Sequence, residues 1–268
     1  MKSRIFVAVL GVPLLLYVVL YGPEWLMALA LAALSGVAAY ELMKCVGAMR
    51  TSLPLCCLTA AAAGWSVLCG WTLREWLLPS LTLYCLLAFA VAVWKAGDIK
   101  TPHLLAGIFG AVLIPYAFSS FFRIHGLGGH RGYLLLPFIL SFACDTFAYF
   151  TGLTMGRHKL APKVSPKKTV EGSVGGLVGN VLCGLVFAYV MNCWFGGSIS
   201  YGSMVMLALF CGVVAQLGDL SFSLIKREFG IKDYGKIFLA HGGVLDRFDS
   251  VLFVAPTLVA LMELLGVG

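Results

Sequence analysis

Charged residues are scarce in this sequence. Only 12% of the 268 residues are Asp, Glu, Lys or Arg, whereas 60% are hydrophobic and the mean hydropathy is +0.95. A soluble globular domain carries about twice that share of charge, so the composition excludes an ordinary soluble protein. Since apolar runs recur from the first residues to the last, we predict one all-α, polytopic membrane domain that covers residues 1–268.

Several other features are also missing. The nine cysteines include no C-x-x-C pair and lie almost wholly in apolar runs, which argues against a zinc site or a disulfide framework. The chain has no convincing internal repeat, low-complexity tail or Pro- or Ser-rich linker. No clear cleavage site follows the first apolar run, so we expect it to remain as a helix and not to act as a signal peptide. The apolar runs do not alternate with polar residues, which makes a β-barrel a poor interpretation.

Nine apolar stretches are long enough to cross a membrane. A spanning helix needs about 20 residues, because each residue adds about 1.5 Å against a hydrocarbon core about 30 Å thick. The predicted spans are residues 5–21, 26–43, 53–70, 77–94, 104–122, 133–151, 173–194, 203–225 and 250–266.

The basic residues predict the orientation of these spans. With the N-terminus in the cytoplasm, all but three of the 19 Lys and Arg residues lie inside, and only Arg74, Arg123 and Arg131 lie outside. Cytoplasmic loops carry such an excess, so the C-terminus is expected outside. In a bacterium the chain would lie in the inner membrane. The net charge of +7 would then attract anionic headgroups or nucleotides at the cytoplasmic face, and it does not imply nucleic acid.

Polar residues concentrate in the second half of the chain. We therefore expect residues 1–103 to be mainly structural helices, and residues 104–268 to form the catalytic part with cytoplasmic loops 152–172 and 226–249. In the sixth span Ser141, Asp145 and Tyr149 recur every four residues and share one helix face. A carboxylate within a span costs at least a few kcal/mol and predicts a functional site. The alternative is a structural ion pair with a lysine.

A basic segment follows this span. Pro162 and Pro166 exclude one long helix and predict a bent loop that folds back over a pocket. The ending S-P-K-K-T-V-E-G brings hydroxyls, lysines and a carboxylate to the start of a helix, which suits phosphate oxygens. Alternatively, the lysines only hold the loop inside. Glycines at 172, 175, 176 and 179 predict close helix packing, within one chain or between the subunits of a homodimer.

Two further clusters end the chain. Gln216, Asp219, Ser223 and Lys226 fall within an arc of about 80° on the eighth span, so this stripe is expected to line a cavity or to form a buried hydrogen-bond network. The stretch H-G-G-V-L-D-R-F-D then places Asp246 and Asp249 three residues apart on one helix face. Two such carboxylates repel unless a cation lies between them, and oxygen ligands beside phosphate predict Mg²⁺. Bridging by Arg247 alone is the structural alternative.

The whole run from Ser223 to Asp249 resembles the signature of phosphatidate cytidylyltransferases, the CDP-diacylglycerol synthases. Its elements are S-x-x-K-R, K-D after four residues, and H-G-G-x-x-D-R-x-D. The upstream D-T-x-A-Y and S-P-K-K-T-x-E-G elements are similar to that family too, and the hydrophobic layout covers the whole chain. The match departs at Leu239-Ala240, where the family has Pro-Gly, but the departure removes no charged residue.

The resemblance implies transfer of CMP from CTP to phosphatidic acid at the bilayer, giving CDP-diacylglycerol and pyrophosphate. We assign the catalytic roles to Asp219, Lys226, Arg227, His241, Asp246 and Arg247. Substrate contacts are assigned to Ser165, Lys167, Lys168, Thr169, Glu171, Ser223, Lys232, Asp233, Gly242 and Gly243. One or two Mg²⁺ ions would be bound by Asp145, Asp219, Asp246 and Asp249. The alternatives are a CTP-dependent lipid kinase and an ion or solute transporter.

Overall fold

The computed structural model describes residues 17–235 and 242–267. Within them, eight helices are long and apolar enough to cross a membrane. The long helices are α1 (Glu24–Cys45), α2 (Leu53–Trp71), α3 (Leu77–Trp94), α4 (Thr101–Gly128), α5 (Leu136–Met155), α6 (Val170–Trp194), α7 (Tyr201–Glu228) and α8 (Leu245–Leu265). The described residues also contain a short helix, Ala48–Thr51, and two 3₁₀ turns, Arg74–Trp76 and Arg131–Leu135.

The predicted spans agree with these helices. Every span from the second to the ninth coincides with one of α1 to α8, and most of the first, 5–21, lies outside the described residues. Helix α7 extends beyond its predicted span and ends at Glu228, because Lys226 and Arg227 continue the helix into a polar segment. The all-α, multi-pass membrane fold is therefore confirmed.

The chain forms two compact units. The N-terminal unit contains the residues up to Phe122 together with Glu228–Phe248, and the C-terminal unit contains Arg123–Arg227 and Asp249–Gly268. In the N-terminal unit α1 packs on α2, and α2 packs on α3. Its core includes Met43, Leu55 and Tyr84, and the Tyr84 hydroxyl is 3.0 Å from that of Thr59. These interactions hold the apolar helices in register.

Helices α5 and α6 form the closest pair of the C-terminal unit. A Cβ atom on Gly176 would lie 2.8 Å from the Cys144 carbonyl oxygen, and one on Gly172 would lie 2.7 Å from that of Ala148. Only a hydrogen fits at these positions, because the two backbones approach so closely. The glycine stripe thus packs helices within one chain, whereas a homodimer stays a prediction.

Gly176→Ala should destabilise the protein, and Gly126→Ala should not. The added methyl group at Gly176 must displace α5, and overpacking of this kind costs about 1–3 kcal/mol. Gly126 is an exposed helical glycine with nothing within 4 Å of a Cβ, so alanine there should stabilise α4 by about 0.5–1 kcal/mol. Thermal unfolding in one detergent measures both variants. Equal melting temperatures for the two variants would show that α5 and α6 do not pack this closely.

The segment between α5 and α6 is a β-hairpin. Strand β1 (Lys159–Ala161) pairs antiparallel with β2 (Ser165–Thr169), with Lys159 opposite Thr169 and Ala161 opposite Ser165. Pro162 lies in the turn, and the Val164 N–H donates to the Ala161 carbonyl oxygen at 3.2 Å. The predicted fold-back is confirmed, although proline spacing alone did not predict that its two arms pair as strands.

Candidate active site

A cavity of about 520 Å³ lies within the C-terminal unit. Its wall is built from the C-terminal half of α5, the hairpin, the start of α6 and the middle of α7. The lining residues are Asp145, Ala148, Tyr149, Gly152, Leu153, Lys159, Leu160, Lys167, Lys168, Thr169, Gly172, Ser173, Gln216 and Asp219. Five residues assigned from the sequence therefore share one cavity: Asp145, Lys167, Lys168, Thr169 and Asp219.

Lys168 forms an ion pair with Asp219 on the cavity wall, and about a quarter of each side chain is exposed. Within the described parts of the chain, the Lys168 Nζ atom is buried and makes no hydrogen bond beyond this ion pair. An ammonium group carries three donors, so Lys168 retains donors for an anion that enters the cavity. Lys167, the neighbouring residue of β2, lines the cavity and is exposed.

Three carboxylates of the C-terminal unit lie close enough to repel one another. They are Asp145 of α5, Asp219 of α7 and Asp249 of α8, and the positive charges of Lys168 and Lys226 offset this repulsion in part. The Ser250 N–H donates to Asp249 Oδ1 at 2.8 Å. Among residues 17–235 and 242–267, no three His, Cys, Asp or Glu side chains form a ready-made metal site. The carboxylates concentrate negative charge without forming a complete coordination shell.

The polar stripe of α7 makes several contacts. Gln216 hydrogen-bonds with the Ser173 hydroxyl, and its Nε2 atom donates to the Ser173 carbonyl oxygen at 3.1 Å. The Ser223 hydroxyl donates to Asp219 Oδ1 at 3.2 Å. Gln216 and Asp219 line the cavity, whereas Ser223 and the buried Lys226 are not among its lining residues. The stripe therefore does both things that were expected as alternatives. Gln216 and Asp219 line the cavity, and Asp219 also takes part in a hydrogen bond with Ser223.

The start of α6 organises the hairpin. The Thr169 hydroxyl accepts from the Gly172 N–H at 3.1 Å and caps the helix. Glu171 accepts from the N–H groups of Arg157 and His158 at 3.0 and 3.2 Å, and one carboxylate oxygen lies 2.6 Å from His158 Nδ1. Its side chain therefore joins the end of the α5–β1 connection to α6, and Glu171 does not line the cavity.

Several other assigned residues are not among the described residues that line the cavity. The Arg227 Nε atom donates to the Val164 carbonyl oxygen at 3.4 Å, which ties α7 to the hairpin turn. Ser165 is half-buried, opposite Ala161 in the hairpin. Lys232, Asp233 and Arg247 are exposed, and His241 lies outside the described residues. The roles assigned to these residues stay predictions.

The H-G-G-V-L-D segment belongs to the N-terminal unit. Asp246 Oδ2 accepts from the N–H groups of Tyr234 and Gly243 at 2.8 and 2.9 Å, so this carboxylate holds the start of α8. Gly242 has a φ of 84°, a backbone conformation in which a residue with a side chain would be strained. The Gly243 amide, whose residue we assigned to a substrate contact, thus binds a carboxylate of its own segment. Metal binding by Asp246 stays a prediction.

Sequence reasoning missed several contributors. Lys159, Leu160 and Ser173 line the cavity because the two strands pair and the hairpin packs against α6. No local sequence pattern indicates these contacts. Glu41 in α1 is buried against the start of α8. An acidic residue within an apolar span was a usable signal for Glu41.

A mainly helical, multi-pass fold with lysines and carboxylates around a cavity defines a membrane protein with a site suited to phosphate-bearing molecules. The family model described as "Cytidylyltransferase family" matches residues 2–265. The chain belongs to this family.

Named relatives agree with that membership. The chain is 30% identical over 270 residues to a phosphatidate cytidylyltransferase of Staphylococcus haemolyticus, covering 98% of this chain and 99% of the relative. Identity to the Bacillus subtilis protein of the same name is 31% over 271 residues, or 98% of each chain. A phosphatidate cytidylyltransferase of Staphylococcus saprophyticus is 45% identical over 130 residues, 48% of each chain. The family predicted from the Ser223–Asp249 signature is confirmed.

Proposed function

We propose that this protein transfers CMP from CTP to phosphatidic acid and releases pyrophosphate, leaving CDP-diacylglycerol in the bilayer. Family membership and the names of two relatives matched along nearly their whole length support this reaction. The structural observation that carries the proposal is Lys168, a buried ammonium group that lines a cavity beside Asp219 and retains hydrogen-bond donors.

The reaction requires alignment more than base catalysis. A phosphate oxygen of phosphatidic acid attacks the α-phosphorus of CTP and forms a new phosphorus–oxygen bond. The bond from that phosphorus to the oxygen bridging the β-phosphorus breaks, and pyrophosphate leaves with the bonding electrons. Since the attacking phosphate is anionic near neutral pH, no strong base must remove a proton. The site must instead hold two polyanions in line and neutralise their charge.

The cavity wall offers groups for both substrates. Lys167 and Lys168 bind the triphosphate of CTP, because charge-assisted hydrogen bonds from lysine to phosphate are among the strongest available. Ala148, Tyr149, Leu153 and Leu160 form an apolar part of the same wall. Phosphatidic acid packs its apolar portion there, so that its phosphate lies near the triphosphate.

Magnesium is the expected cofactor. Asp145, Asp219 and Asp249 would hold it, since they repel one another and provide the hard oxygen ligands that Mg²⁺ prefers. Bound there, Mg²⁺ would neutralise phosphate charge. Because the described carboxylates form no ready-made site, oxygens of the triphosphate would complete the coordination. Asp246 remains a further predicted ligand.

Product identification tests the proposed reaction. Purified protein in vesicles that contain phosphatidic acid and a lipid alcohol such as diacylglycerol, supplied with Mg²⁺ and CTP, should yield equal amounts of CDP-diacylglycerol and pyrophosphate. A lipid kinase would instead yield CDP and a lipid that carries the γ-phosphate, so CTP labelled separately at the α- and γ-phosphates separates the two reactions. A transporter would yield neither product. Either of these outcomes would overturn the proposal.

We propose that the hairpin and the 226–249 segment face the cytoplasm, where CTP is available. Single cysteines replacing Lys163 and Lys232, both exposed, should react with an impermeant maleimide in inverted vesicles and not in intact cells. The background must lack the nine native cysteines. Arg74→Cys, exposed and predicted outside, is the matched control and should show the reverse pattern. Labelling of Lys163→Cys from outside alone would contradict this orientation.

A further inference from the structure

Glu41 lies inside an apolar membrane helix and is almost completely buried, with 3% of its surface exposed. An isolated carboxylate in such surroundings costs several kcal/mol unless it is hydrogen-bonded. Its partners belong to the start of α8. Glu41 Oε2 accepts from the Leu245 N–H at 3.0 Å, and the Val244 N–H also interacts with the carboxylate. The first backbone amides of a helix lack partners within the helix and favour negative charge, which explains how Glu41 is tolerated there.

Two glycines enclose the same carboxylate. A Cβ atom on Gly235 or on Gly243 would overlap Glu41 Oε1. Neither glycine has a positive φ, so backbone conformation does not demand glycine there, but a side chain at either position would have to displace the Glu41 carboxylate. The two glycines flank the segment that precedes α8. Glu41 thus contacts this segment on both sides of residues 236–241.

Glu41 and Asp246 divide the amides at the start of α8 between them. Asp246 Oδ2 accepts from Gly243 and from Tyr234, whereas Glu41 accepts from Val244 and Leu245. Asp246 therefore takes its position from a segment that Glu41 holds.

We propose that Glu41 is a positioning residue for the reaction, which fixes the backbone at Gly235 and at Gly243 to Leu245 and thereby the orientation of Asp246. Glu41 itself touches no substrate. The inference rests on the proposed function, and it gives the N-terminal helices, which the sequence marked as mainly structural, a direct part in arranging the catalytic segment.

Three variants test this role by kinetics. Glu41→Ala should lower kcat about 10- to 100-fold, because a misplacement of about 1 Å has effects of this size, while the KM values for CTP and phosphatidic acid change less than about twofold. Glu41→Gln should retain more activity, since its amide oxygen can still accept from Leu245. Ser35→Ala is the matched control. Ser35 is a fully buried polar residue of the same helix, and its hydroxyl donates to Ala63 at 3.2 Å in α2.

Two further measurements distinguish the positioning role of Glu41 from a general loss of stability. Gly243→Ala should reduce kcat strongly in the wild-type background and less in Glu41→Ala, because the overlapping carboxylate is then gone. Amide hydrogen exchange at Val244 and Leu245 should accelerate in Glu41→Ala and stay unchanged in Ser35→Ala. This exchange measurement requires no substrate.

The outcomes are separable. A wild-type protein that makes no CDP-diacylglycerol overturns the proposed function, and the exchange rates then decide whether Glu41 holds the segment. An active wild type with an unchanged kcat in Glu41→Ala overturns the positioning role. An equal loss in Ser35→Ala does so too, because general destabilisation of α1 would explain both losses. If Glu41→Ala cannot be purified, Glu41→Gln decides the question. Wild-type kcat together with wild-type amide exchange at Leu245 in this variant would support a hydrogen-bonding role for Glu41. A loss of kcat with wild-type exchange at Leu245 would contradict that role.

Discussion

Asp219→Asn should lower turnover by a factor of about 100 or more, which is the size expected when transition-state charge stabilisation of several kcal/mol is removed. Asp219 pairs with Lys168, accepts from Ser223, and lies close enough to Asp145 and Asp249 for mutual repulsion. Asparagine keeps the size and the acceptor oxygen and removes the repulsion of Asp219 with Asp145 and Asp249, which offsets the lost ion pair, so the variant should still fold. We expect kcat at saturating substrates to fall and the Mg²⁺ concentration for half-maximal activity to rise.

The control for Asp219→Asn is Asp98→Asn, an exposed aspartate outside the C-terminal unit, which should behave as wild type. If Asp219→Asn keeps kcat within a factor of about three of wild type and an unchanged Mg²⁺ dependence, the Lys168–Asp219 pair is structural. The proposed metal role of Asp219 would then be wrong.

Replacing Lys167 and Lys168 together by alanine should raise the KM for CTP about 10-fold or more, since each charge-assisted hydrogen bond contributes about 1.5–3 kcal/mol. The KM for phosphatidic acid should change much less, because the lysines are proposed to bind the triphosphate. Initial rates measured while each substrate is varied in turn separate the two effects. Lys163→Ala is the matched control, because Lys163 is an exposed lysine of the same hairpin that does not line the cavity. An equal rise in the KM values of both substrates would show that the lysines do not bind the triphosphate and only hold the loop on the cytoplasmic side.

Loss of Lys168 has a second consequence. Its removal leaves Asp219 without its cation near two other carboxylates, and breaking a buried pair commonly costs about 3–5 kcal/mol. Lys168→Ala should therefore also lower the melting temperature, whereas Lys167→Ala should not. Comparison of the two single variants separates the effect on CTP binding from the effect on folding.

The spans were predictable because a membrane imposes a length rule that each helix obeys on its own. Helices α1 to α8 match predicted runs closely, and the fold-back after α5 follows from Pro162 and Pro166. The pairing of β1 with β2 depends on contacts between segments, so the local sequence did not indicate it. The lining of the cavity by Lys159 and Leu160 follows from that pairing.

The site was predictable in its residue types and less so in its contacts. Two aspartates within apolar spans and a lysine of the S-P-K-K-T element were predicted to belong to the site, and the structure brings these residues, Asp145, Asp219 and Lys168, to one cavity. The roles of Glu41 and Asp246 depend on backbone amides, and Glu41 lies 204 residues before Leu245. No spacing rule connects positions so far apart. The sequence therefore indicated which groups carry charge, and the fold determines which backbone atoms they bind.

Cross-linking of CTP to the protein tests most directly whether the triphosphate binds in the cavity of the C-terminal unit. CTP with an aryl azide on its γ-phosphate, illuminated with the purified protein and Mg²⁺, should label peptides that contain residues 145–173 or 216–219, and unmodified CTP should compete. Asp98→Asn should be labelled like wild type, and the double lysine variant much less. Labelling that CTP competes for but that maps only outside these peptides, with the double lysine variant labelled as strongly as wild type, would contradict the account.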